Sequence, residues 1–166
     1  MFDCVYPYPC GWLNDAQKAC GCASAVVTKY RKRISGPILD RIDIHIEVPR
    51  VDYETLSGDR VGETSKSIRA RVQAARDIQT KRFSNDSSDI VCNADMRVGE
   101  IRQFCKLPEE GQSLMRAAMT QLNLSARAYH RILKLARTIA DLAGCEEIQS
   151  VHLAEALQYR PKLMLS

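Results

Sequence analysis
Hydrophobic spacing changes character along this chain, from alternation around residue 45 to helical periods from residue 65 onward. Ile42, Ile44, Ile46 and Val48 alternate with Asp43, His45 and Glu47, which predicts a half-buried strand. The turn signal Ser35-Gly36-Pro37 leads into it, and Arg41 stands where the chain would enter a sheet. Farther on, Ile68, Val72, Ala75 and Ile78 recur at three- and four-residue spacing, so a helix is expected from a Thr64 or Ser65 cap to about Arg82. The polar run Ser84-Asn85-Asp86-Ser87-Ser88-Asp89 breaks that pattern as a loop. A short helix follows over Val98–Cys105, then one opened by Pro108 that carries Leu114, Met115, Ala118, Met119 and Leu122. Ser125 is expected to cap the strongest helix, Ala126 to Ala143, with Ile132, Leu135, Ala136, Ile139 and Leu142 as its buried stripe. Gly144 ends it, and a last helix runs from a Ser150 cap to about Tyr159 before Pro161. The second part of the chain therefore reads as a bundle of four or five helices.

Composition adds bounds rather than identity. With 166 residues, 45% of them hydrophobic and 27% charged, the chain has the makeup of one soluble domain or two small ones. No apolar run approaches the ~20 residues that cross a bilayer, and the start of the chain lacks a signal-peptide pattern. A membrane role is not expected, and the expected compartment is the cytoplasm. A net charge of +4 permits a polyanionic partner without requiring one. Seven cysteines are present, four of them before residue 23, and clustering of that kind points to metal before disulfides. Cys10, nine intervening residues, and Cys20-Gly21-Cys22 offer three thiolates that a tetrahedral zinc would accept with a fourth ligand. Free thiols remain the other reading.

Two arginines stand out against ordinary solvated charge. Arg41 sits in Ile34-Ser35-Gly36-Pro37-Ile38-Leu39-Asp40-Arg41-Ile42-Asp43-Ile44, and a guanidinium on a rigid element can reach a phosphate on a neighbouring molecule. Arg127 lies in Leu124-Ser125-Ala126-Arg127-Ala128-Tyr129-His130-Arg131, in the first turn of the strongest helix, where a cation opposes the helix dipole. Together with Ala136-Arg137-Thr138-Ile139-Ala140-Asp141-Leu142, these segments resemble the Mg-chelatase-like branch of the AAA+ ATPases, and within it the ComM/YifB competence-related family. The resemblance covers roughly residues 7–160, the C-terminal third of such a protein.

That resemblance implies a mainly α chain, in which the C-terminal end of an AAA+ α/β core precedes an α-helical lid. Its expected parts are a core end with a zinc-knuckle-like Cys segment and the arginine-finger strand over 1–50, a linker over 51–64, and the lid over 65–166. An isolated parallel-sheet strand lacks its neighbours, so the core end is expected to be poorly ordered alone. The resemblance implies that Arg41 is the arginine finger, pointing at the γ-phosphate of ATP in the neighbouring subunit. It makes Arg127 the sensor-2 residue, coupling nucleotide state to the angle of the lid. Arg131 and Arg137 are assigned to the surface or the lid interface. Relatives carry a Cys-Pro-Cys-Gly segment before a second Cys-x-Cys, yet Tyr8 stands where the first cysteine belongs. Cys4 or a water is then left as the fourth zinc ligand. Implied too are ATP and Mg²⁺ in the complete protein, a homo-oligomeric, hexameric ring, and DNA as partner during branch migration in natural transformation.

Some parts are missing. No glycine-rich phosphate loop of the G-x-x-x-x-G-K-S/T type is present, nor a hydrophobic strand ending in a Mg²⁺-holding acidic pair, and Tyr6 occupies the sensor-1 asparagine position. Hydrolysis of ATP by this chain alone is therefore not expected. Lys66, Arg69 and Arg76 on the first lid helix form a candidate surface for non-specific DNA binding, against the ordinary alternative of a solvated face. No base-reading motif accompanies them. The three histidines, His45, His130 and His152, have no partner spacing that suggests Ser-His-Asp or Cys-His catalysis. Two other readings are a non-catalytic DNA-binding or interaction module, or the remnant of a broken gene. A tetrapyrrole chelatase subunit would share the two arginines but fits the cysteine segment less well.

Overall fold
In the computed structural model, the described residues are 9–11, 19–31, 33, 41–46, 48, 51, 53–58, 62–84 and 89–160. They fall into two units. The first holds described residues up to Ile42 and those from Val48 to Gly58; the second holds Asp43–Ile46 and those from Gly62 to Arg160. Helices α1 (Ser24–Arg31) and α2 (Tyr53–Ser57) belong to the first. The second contains α3 (Ser65–Phe83), a 3₁₀ turn at Asn93–Asp95, α4 (Val98–Phe104), α5 (Glu109–Gln121), α6 (Ala126–Leu142) and α7 (Ser150–Gln158). Among the described residues the fold is entirely helical, as expected for the lid.

Cap chemistry sets where these helices begin and end. Thr64 holds extended backbone and its hydroxyl accepts from the Ser67 amide, starting α3. Ser125 does the same for α6 through Ala128. Pro108 lies one residue before α5 rather than inside it, and Gln149, not Ser150, precedes α7. At the end of α6, Gly144 takes a φ of 69°, and the Cys145 amide reaches back to the Ala140 carbonyl. That left-handed closure is open to glycine and strained for residues with a Cβ. Asn123, at φ 47°, closes the loop between α5 and α6 in the same region.

Helix α6 is the axis of the second unit, packing against α7, α3, α4 and the 3₁₀ turn, while α5 lies on α7. Its buried side chains are Ala128, Ile132, Leu133, Ala136, Arg137, Ile139, Ala140 and Asp141. Leu142, expected in the stripe, is exposed, because the helix is covered around Leu133 and Ala140 instead. Ile132, Ile148 and Leu153 are completely enclosed. Burial of each such side chain contributes about 1.5–3 kcal/mol. Phe83 and Phe104 meet edge to face at 5.7 Å. Cys105 lies in this core, and burial pushes its thiol up to about 11.

One expectation fails. No strand occurs among the described residues, and Ile44, Ile46 and Val48 face outward while His45 is half-buried. A strand exists only through ladder bonds to a neighbour, and none is present here. The segment is instead held by the His45 amide, which donates to the Tyr159 carbonyl at 3.0 Å. On α3, three of the four periodic apolar positions, Ile68, Val72 and Ile78, are 38–41% exposed, while Ala75 is buried together with Gln79 and Phe83.

Candidate functional site
The first turns of α6 open onto a shallow cleft of about 290 Å³ in the second unit. Arg127, His130, Arg131 and Lys134 line it from α6, and Arg97 lines it from the residue before α4. Met96 and Ile101 form an apolar floor, and no carboxylate is among the lining residues. Positions 127, 130, 131 and 134 share a helix face by spacing, so α6 stacks Arg127, Arg131 and Lys134 along one stripe with His130. Arg131 is neutralised from outside: its Nη1 donates to Asp43 Oδ1 at 2.7 Å. Lys134 Nζ donates to the Ala94 carbonyl at 2.7 Å. Arg127 is exposed and takes part in no ion pair among the described residues. A cation in a helix's first turn costs about 0.3–1 kcal/mol against the dipole. No ion pair among the described residues offsets that cost.

Arg41 belongs to the first unit, exposed and in a turn rather than at a strand entry. In the same unit, the Sγ atoms of Cys10, Cys20 and Cys22 all lie within 4.8 Å of one another, and Cys10 and Cys20 approach to 3.4 Å. Zinc–thiolate bonds of about 2.3 Å place tetrahedral sulfur ligands about 3.8 Å apart. The three thiols thus fit a zinc ion without large rearrangement. Cys22 has its thiol pushed up to about 11, first by hydrogen bonding to Cys10, then by burial and by Cys20. Cys4, Tyr6 and Tyr8 lie outside the described residues. On α3, Lys66, Arg69 and Arg76 are all exposed. Arg71 beside them is paired with Glu63 at 3.1 Å.

With this geometry in view, comparison with known proteins is decisive about family. A family model described as magnesium chelatase, subunit ChlI C-terminal, matches residues 62–160, and one described as magnesium chelatase, subunit ChlI, matches residues 1–56. This chain belongs to the magnesium-chelatase-like family. The competence protein ComM of Haemophilus influenzae is 45% identical over 141 residues, 84% of this chain. The YifB proteins of Escherichia coli and Salmonella typhimurium are 41% and 36% identical over 140 residues, again 84% of this chain. The chain spans about a quarter of the length of these relatives, 26% of each.

The most consequential feature of this magnesium-chelatase-like lid was not anticipated from sequence. Arg137, read as a surface or interface residue, is 2% exposed, and so is Asp141. Arg137 Nε donates to Asp141 Oδ1 at 3.0 Å, while its other nitrogens hold the Glu146 and Cys145 carbonyls at 2.7 and 2.6 Å. Arg82, near the end of α3, turns inward and donates to Asp141 Oδ2 at 2.8 Å. Asn93 Nδ2 reaches the same oxygen at 2.7 Å, and its backbone amide donates to buried Gln79 at 3.1 Å. Burial alone would raise the Asp141 carboxyl; the Arg82 and Asn93 hydrogen bonds and the two guanidinium charges outweigh it and hold it below the usual carboxylate range. One signal was available. An aspartate in the last turn of a helix opposes the dipole, so Asp141 needed a stronger partner than solvent. His152 is buried, and its Nδ1 accepts from the Gln149 amide at 3.1 Å, a structural role as expected.

Proposed function
We propose that this chain supplies the lid and the trans-acting arginine of a ring-forming ATPase that works on DNA. Arg127 reaches from the lid toward the phosphates of a nucleotide held by a core domain, in the sensor-2 role. Arg41 serves as the finger for the neighbouring subunit in a hexameric ring, with Mg²⁺ at the phosphates. The observation that carries this reading is the exposed Arg127 in the first turn of α6, which has no ion pair among the described residues and faces a cleft whose described lining holds no carboxylate. Similarity to ComM, a protein named for competence, supports DNA as the substrate and natural transformation as the setting. Cys10, Cys20 and Cys22 hold a structural zinc in this scheme, which would tie the first unit together and take no part in hydrolysis.

The test replaces Arg41 and Arg127 with alanine in the complete protein. Arg41→Ala is expected to lower ATP turnover by about 10³-fold or more, the usual size of a finger's contribution. Arg127→Ala should lower turnover too, while the lid keeps its melting temperature. Unchanged turnover in both variants would sink the reading.

A second reading has its own observation, the exposed Lys66, Arg69 and Arg76 on α3. It makes the helical unit a DNA-binding module that neutralises phosphates without nucleotide chemistry. Salt-sensitive duplex binding that ignores added nucleotide would favour it.

A further inference from the structure
We propose that the cleft at the start of α6 is a cradle for a phosphate chain, in which Arg97 and Lys134 act together with Arg127. The inference rests on the reading of Arg127 as a nucleotide-contacting residue and extends it to two residues with no such assignment. Its basis is electrostatic. Four Lys and Arg side chains, three on α6 and Arg97 just before α4, line one depression beside His130. The only carboxylate joined to any of them by an ion pair among the described residues is Asp43, which engages Arg131. The Asp95 carboxyl, held low first by its hydrogen bonds from Cys92, also feels Lys134. Arg127 and Lys134, seven residues apart on one face of α6, and Arg97 from a separate element repel one another across the cleft. An anion seated among Arg97, Arg127 and Lys134 removes that repulsion.

Shape narrows the anion. At about 290 Å³ the cleft lies at the lower edge of small-molecule pockets, too small to bury a whole nucleotide but suited to its phosphates. Guanidinium groups bind phosphate oxygens in bidentate fashion, and an ammonium adds a compact point charge. Lys134 is already positioned by the Ala94 carbonyl, which takes one of its three donors and leaves two for a ligand. The apolar floor of Met96 and Ile101 lowers the local dielectric beneath these charges.

The experiment titrates the 166-residue chain with inorganic tripolyphosphate, without Mg²⁺ and at low salt, and follows backbone amide shifts. Shifts confined to residues 96–98 and 127–134 are expected, with Arg97→Gln and Lys134→Gln each weakening binding roughly tenfold. Lys134→Arg, which keeps the charge, should retain binding and guards against loss by unfolding. Shifts spread along α3, or Arg97→Gln and Lys134→Gln variants that bind like the parent chain, would overturn the proposal. So would a duplex oligonucleotide that displaces tripolyphosphate from the same residues at lower concentration, since the cleft would then belong to DNA. Arg127→Gln separates the two claims. If it alone abolishes binding, the sensor reading stands and the cradle fails. If Arg97 and Lys134 matter while turnover in the complete protein ignores Arg127, the cradle stands and the sensor reading fails.

Discussion

Asp141 accepts from three donors that arise on α3, the 3₁₀ turn and α6 itself. Removing its charge leaves two guanidinium groups facing each other in a space from which water is excluded. Breaking a buried pair in this way costs about 3–5 kcal/mol, so Asp141→Asn should lower the urea midpoint of the lid by that equivalent. The pH dependence follows from the depressed carboxyl. Its contribution is complete above the unfolded value of about 3.9 and is lost as pH falls through the lower folded value. The parent chain should therefore lose stability below about pH 4 more steeply than Asp141→Asn; parallel curves would refute the linkage.

Helix α6 was legible because every level agreed: a Ser125 cap, a dense apolar stripe and Gly144 at its close. Helix α3 was legible in extent but not in orientation. Periodicity finds apolar positions, whereas burial depends on where a partner lies, and the buried positions of α3 fall in its C-terminal half. Ile68 and Val72 lie beyond that cover, and Gln79 is inside because it accepts from Asn93. The N-terminal half of α3 should accordingly be held mainly by its cap. Thr64→Ala is expected to cost about 1 kcal/mol, read as faster amide exchange in the first turns of α3 with little change in global melting. Of the candidate site, Arg127 was visible as a misplaced charge, while Arg97 and Lys134 were not. Their nearness is tertiary, and thirty-odd residues separate them along the chain.

The whole molecule divides into a helical unit with its own enclosed core and a first unit in which Val27 is the one buried side chain among the described residues. Small units of that kind depend on staples such as a structural metal. The chain should accordingly copurify with about one zinc per molecule. Cys20→Ser is expected to lower zinc content and to loosen the first unit, with melting of the helical unit unchanged. Full zinc occupancy in Cys20→Ser would remove the three-thiol site from the argument. The alternation at Ile42–Val48 was read correctly as a pattern and wrongly as an element, because a sheet requires a partner that these seven positions do not contain. No helix among the described residues is long and apolar enough to cross a membrane.

The bonds among Arg82, Asn93, Arg137 and Asp141 also constrain how such a lid can evolve. Each single loss strands a buried charge or amide, whereas replacing a complete buried ionic set by apolar residues of similar volume is often tolerated. Costs at these four positions should therefore be strongly non-additive, with multiple replacements milder than the sum of the singles. Intermediates along any path that alters one residue at a time are the least stable points on it. A sequence that acquires this quartet is held to it by epistasis.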